Sequence, residues 1–271
     1  MRTTEWMNLT VFSFFAIAAW LRPPTTSRSR LVISLIGAAG ISLIIAAQFA
    51  DQLLPSRAVS MIRDWLPAPL MPMVYWQTGR FAGKPNERFQ NSLHGFDRRW
   101  LGSLLQTLAV QRSCRLVLEV LELAYLSCYV LVPLGLGMLY LTGTRAHAEE
   151  YWLVILTATY PCYVFTGLVP TLPPREIEKD STPCPSTLHT FNLWIVRHAS
   201  IHLNTFPSAH VTATLGGSLV LARYKPFIGG PFLLISIGIV IGAVTGRYHY
   251  LADVLVAAAL TIAIFGLEVF V

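Results

Sequence analysis

The stretch FIGGPFLLISIGIVIGAVT-GRYHY-LADVLVAAALTIAIFGLEVF, residues 227–270, decides the architecture. Its two apolar segments, 227–245 and 251–270, are each close to the roughly 20 residues a helix needs to cross the hydrocarbon core of a bilayer. Between them lie Gly246 to Tyr250, which include Arg247 and His249, and Asp253 follows just inside the second segment. In lipid each backbone polar group must be paired internally, so such segments form helices. Ionisable side chains at the edge of a membrane helix are costly to keep and are functional candidates by default.

The rest of the chain has the same character. Of 271 residues, 54% are hydrophobic and only 13% are charged, and the mean hydropathy is +0.55. A soluble domain carries about 25% charged residues. Further spans are expected at 31–50, 116–142, 151–170 and 208–222, making six core transmembrane helices with the two above. Two weaker apolar segments lie at 7–21 and 64–78. The second is interrupted by Pro67, Pro69 and Pro72 and suits a bent or interfacial segment better than a straight helix. The first has the length of a signal peptide, but Glu5 spoils a basic leader and no clean cleavage site follows, so it reads as a short or interfacial helix. The expected fold is an all-α polytopic membrane helical bundle. Residues 1–115 supply N-terminal apolar segments and a basic loop, and residues 116–271 form the catalytic bundle, in one integrated domain.

Net charge is +6. In a membrane protein this favours anionic headgroups or substrates, and no aromatic–basic pattern suggests a nucleic-acid partner. The four cysteines form no CxxC pair and no metal-ligand spacing with histidine, so neither a disulfide framework nor a redox centre is implied.

The connections carry the chemistry. Residues 79–115 hold seven Lys/Arg against Glu87 and Asp97, and 171–207 form a second long connection. Counting spans from residue 116 puts 79–115, 171–207 and 246–250 on one side of the membrane. The positive-inside rule makes that side cytoplasmic, but a phosphate-binding site is basic on either face, so the charge leaves orientation open.

On that face, Phe206-Pro207-Ser208-Ala209-His210 opens the segment 208–222. Proline and serine favour a helix start, whose free N–H groups and positive dipole end attract anions. Ser208 adds a hydroxyl, and His210 in the first turn can protonate a departing oxygen. A serine-capped helix with an incidental histidine is the plainer alternative. His249 and Asp253, four apart, lie within reach on one helical face. A carboxylate beside imidazole fixes its tautomer and leaves the other nitrogen free to attack. A helix-edge ion pair or half of a metal site would use the same spacing. Arg247, and Arg175 at the end of Pro170-Thr171-Leu172-Pro173-Pro174-Arg175, offer guanidinium forks that match phosphate oxygens. Lys179, Arg197, His198 and His202 are further substrate-side candidates. No HExxH or other zinc spacing occurs.

Pro-Ser-x-His, Arg-x-His-x-x-x-Asp and an upstream proline–arginine turn rarely arise together by chance. The constellation resembles the type 2 phosphatidic acid phosphatase (PAP2) superfamily over about residues 116–270, with motif matches at 170–175, 206–210 and 247–253. The resemblance implies a six-helix bundle with a metal-free, cofactor-free site at the membrane surface. It implies His249 as the nucleophile of a phosphohistidine intermediate, Asp253 as its orienter, His210 as the acid, and Ser208, Arg247 and Arg175 as phosphate ligands. The chain departs from the family pattern at Ala209, where glycine is usual, at Ala243, where an arginine is usual, and in the spacing of the first motif. These departures look more like the inositol phosphorylceramide synthase (inositolphosphotransferase) branch.

The expected activity is therefore that of a multi-pass integral membrane phosphatase or phosphotransferase, in the plasma (inner) membrane, acting on a phosphorylated lipid. The acceptor can be water or an alcohol. Alternatives of another class are an anion or lipid transporter, which needs charge near the midplane of its spans, and a non-catalytic lipid binder. The sequence leaves oligomeric state open.

Overall fold

The structure, a computed structural model, describes residues 1–22, 26–110, 115–178 and 187–270. Its N-terminal part comprises α1 (Thr3–Leu21), α2 (Ser27–Phe49), α3 (Ser56–Trp65), α4 (Pro67–Phe81) and α5 (Glu87–Val110). Then come α6 (Arg115–Leu126), α7 (Cys128–Leu141), α8 (Ala148–Leu168), the single turn α9 (Pro174–Ile177) and α10 (Thr187–Ala199). The chain ends with α11 (Ala209–Tyr224), α12 (Pro226–Thr245) and α13 (Leu251–Phe270). The described residues form an all-α polytopic bundle, in which the one extended pairing is a bridge between Thr171 and Asn204.

Among the described residues four helices are long and apolar enough to cross a membrane: Ser27–Phe49, Arg145–Leu168, Pro226–Thr245 and Leu251–Glu268. The expected span 116–142 is instead two helices, α6 and α7, bent by 59° at Ser127, and counts as a fifth span only if the pair is taken together. At the break the Ser127 hydroxyl donates to the Ala124 carbonyl, 2.5 Å away, a side-chain bond that competes with the helical ladder. The sixth expected span, 208–222, is α11. Its 16 residues rise about 24 Å, short of a roughly 30 Å core. It sits centrally, packed on α7, α8, α12 and α13. Gly217 makes one of these approaches possible, since a Cβ there would meet the Tyr151 hydroxyl at 2.6 Å.

The N-terminal segments are more ordered than their sequence suggested. Residues 7–21 belong to a 19-residue helix packed on α2, α4 and α8, and Phe12 and Phe15 share a core cluster with Tyr151, Trp152 and Leu221. Glu5, which looked out of place in an apolar leader, accepts from Arg63 at 2.7 and 2.8 Å and from Gln48 at 2.7 Å. Residues 67–81 are a continuous helix despite Pro72. The basic stretch 79–115, expected as a loop, is largely α5, whose charges line an amphipathic helix packed on α13.

Candidate active site

The C-terminal end of α8, the N-terminus of α11 and the α12–α13 connection meet at one end of the bundle. The Ser208 N–H donates to the Asp253 carbonyl at 3.1 Å, tying the start of α11 to the start of α13. The Asn204 N–H donates to the Thr171 carbonyl at 2.8 Å, and the Arg175 N–H to the Arg247 carbonyl at 3.2 Å. Three segments far apart in sequence are thereby joined through their backbones.

His249 lies in the connection before α13, not on the helix as its spacing suggested. The contact forms because Asp253, in the first turn of α13, reaches back. Its Oδ2 lies 3.2 Å from His249 Nδ1 and accepts the Tyr250 N–H at 2.9 Å. Asp253 is fully buried and His249 nearly so. Burial, with the nearby Arg175 charge, pulls the His249 pKa down to about 3, so the imidazole is neutral near neutral pH. The rings of His210 and His249 stand 6.1 Å apart at 74°.

Both histidines line a cavity of about 300 Å³, together with Arg175, Thr205, Tyr125, Tyr129 and Tyr248. Arg175 stands beside Tyr248, its guanidinium 5.7 Å from the ring centre, and its nearest carboxylate among the described residues, the exposed Glu176, is 3.9 Å away. Ser208 takes the N-cap position of α11, but its buried hydroxyl makes no cap hydrogen bond and has no partner among the described residues. Ser208 and Asp253 do not themselves line the cavity.

Arg247 sits elsewhere than expected for a phosphate ligand. It does not line the cavity. Its buried guanidinium is held by Asp97 at 2.9 Å and Glu178 at 2.7 Å. The residue adopts φ +58, a left-handed conformation that costs about 1–2 kcal/mol for a non-glycine residue. Asp97 also accepts the Leu251 N–H at 2.8 Å and so caps the start of α13. Burial pushes the Asp97 carboxyl up, against the Leu251 N–H and Arg247. Ala243, at the usual arginine position, is buried, and its carbonyl accepts the N–H groups of Tyr248 and His249, both at 2.9 Å. Arg197, His198 and His202 are exposed and do not line the cavity, and Lys179 lies outside the described residues.

A second buried group escaped sequence reasoning. Glu122 accepts from the Tyr248 hydroxyl at 2.8 Å and from Asn192 Nδ2 at 2.6 Å, and its other oxygen lies 2.8 Å from His189 Nδ1. Tyr248 in turn stacks on Tyr125 at 4.0 Å, and Tyr125 meets the edge of His210. Gly246 leaves the space this requires, since a Cβ there would strike the Tyr248 ring. The available signal was a carboxylate inside an apolar run. Among the described residues no group of three His, Cys, Asp or Glu side chains is placed to hold a metal ion.

Comparison with curated proteins and with solved structures gave no match. The family model of the PAP2 superfamily matches residues 91–267. That interval begins within α5, earlier than the motifs alone suggested, and contains Asp97 and Glu122 as well as both histidines and Asp253. More than half of the chain is covered, and the chain belongs to the PAP2 superfamily, a family of phosphatases and phosphotransferases.

Proposed function

We propose that this integral membrane protein removes the phosphoryl group of a lipid phosphate through a covalent phosphohistidine at His249, without a metal ion. The observation that carries the reading is the pair of histidine rings, 6.1 Å apart, facing one cavity with Arg175. With Nδ1 directed at Asp253, Nε2 is the nitrogen left to attack phosphorus. Its lone pair forms the P–N bond as the P–O bond to the lipid breaks, and His210 gives its proton to the departing oxygen. Phosphate beside His210 favours the protonated ring through its negative charge. Water then attacks phosphorus, His210 takes back a proton, the P–N bond breaks, and phosphate leaves. An alcohol in place of water makes the same site a phosphotransferase, the outcome suggested by the motif style of the inositol phosphorylceramide synthase branch.

Arg175 supplies charge for the equatorial oxygens. The N-terminus of α11 supplies N–H donors and a positive dipole end, with the Ser208 hydroxyl, unpaired among the described residues, beside it. These donors meet the charge that a metal otherwise meets.

The test is phosphate release from a short-chain phosphatidic acid by the purified protein with chelator present. Release by wild type and none by His249→Ala is expected. Release by the variant at the wild-type rate would overturn the proposal. No release by wild type, with headgroup exchange onto an added alcohol, would assign the protein to the transferase class.

A further inference from the structure

The cavity extends well past the groups the chemistry needs. At the level of the site it is lined by Tyr75 and Trp76 of α4, Tyr129 of α7, Tyr163 of α8 and His210 of α11. Its far end is lined by Ala68 of α4 and Trp152 of α8, with Ala213 of α11 between. From Tyr75 or Trp76 back to Ala68 is about 12 Å of helix, and from Tyr163 to Trp152 about 16 Å, at 1.5 Å per residue. The lining thus descends along several helices at once, from an arginine and two histidines at the top to an apolar floor.

The floor is fixed. Trp152 is 1% exposed, and its indole N–H donates to the Asp64 carbonyl at 2.7 Å. The mouth is at the other end, where Trp76 is 49% and Tyr129 40% exposed. The cavity, of about 300 Å³, has the size of a small-ligand site, and its length of about 12–16 Å suits an extended hydrocarbon chain.

We infer that the substrate is an amphiphile with a phosphate head, an apolar chain of which descends from His210 and His249 to Trp152, which sets the longest chain that fits. The inference rests on the lipid-phosphate reading of the site and narrows it to chains that the floor at Trp152 admits.

The test uses ligands that cannot turn over. Linear alkylphosphonates of increasing length are titrated calorimetrically against the protein in bilayer nanodiscs, with empty nanodiscs as the blank. Affinity for wild type should rise with each added methylene, by up to about fourfold for a CH₂ moved from water into an apolar site, and then stop rising. Trp152→Leu should move that break to longer chains and Ala68→Leu, which raises the floor from a partly buried position, to shorter ones. The same break point in all three proteins would overturn the inference. Should Trp152→Leu fail to fold, Ala68→Leu against wild type decides alone. Shifted break points in a protein that releases no phosphate would leave this inference standing and remove the hydrolytic reading instead.

Discussion

His249 is neutral because it is buried and because Arg175 stands nearby. A depressed pKa favours the fold at pH above the ordinary histidine value of about 6.5. That contribution is lost as pH falls from there towards 3, because the unfolded chain then binds a proton the folded one does not. The proposed attack uses the same group, since a protonated imidazole cannot attack. Arg175→Gln removes one of the two causes, so the acid limb of kcat/KM set by His249 should move to higher pH. The same change should cost about 10²–10³ in kcat/KM, typical of losing one preorganised donor to a developing charge. An unmoved acid limb would mean that Arg175 does not act on His249. The sequence displayed these side chains because each sits in a short motif beside an apolar segment. It misled on Arg247, whose partners Asp97 and Glu178 lie 150 and 69 residues away. An arginine two residues from the proposed nucleophile reads as a phosphate ligand until those carboxylates are seen to hold it.

Among the elements, the α12–α13 connection depends on α5. Arg247 and Asp97 are 1% and 2% exposed, and breaking a buried pair by removing one partner costs about 3–5 kcal/mol. Arg247→Met and Asp97→Asn should each lower stability on that scale, and the double variant should cost less than their sum, because the buried Arg247 and Asp97 charges are then removed together. Denaturation midpoints of the four proteins measure this coupling; strict additivity would show that the pair is not a unit. Helix positions were readable where apolar runs are continuous, as in α2, α12 and α13. The break at Ser127 was not, because one serine in an apolar run carries little signal. α5 was hidden because its basic residues look like a loop until α13 supplies the surface its apolar side covers.

At the scale of the molecule, the N-terminal helices are locked to the core at the end of the bundle away from the histidines. Asp64 of α3 receives Arg2 at 2.6 Å, Tyr140 at 2.6 Å and Arg145 at 2.7 Å. Burial pushes its carboxyl up, but these three donors outweigh burial and hold it below the usual carboxylate range. Their contribution is present above the ordinary aspartate value of about 3.9 and is lost as pH falls through the depressed one. Asp64→Ala should cost about 2–3 kcal/mol, less than a fully buried pair because Arg2 and Arg145 are partly solvated. From Ala148 to Leu168, the two ends of α8 are about 30 Å apart, so kcat per folded molecule should stay unchanged. A thermal shift measured beside turnover checks both halves, and a fall in kcat with no loss of stability would contradict the assignment. None of this network was legible beforehand, since it joins residues 2, 64, 140 and 145 and exists only once the bundle is assembled.

The covalent role of His249 is tested most directly by rapid acid-free quenching with a ³²P-labelled short-chain lipid phosphate. The label should be stable to base and labile to acid, map to the peptide that contains His249, and be absent from His249→Ala. A label of that kind on any other residue, or steady turnover by His249→Ala, would contradict the account.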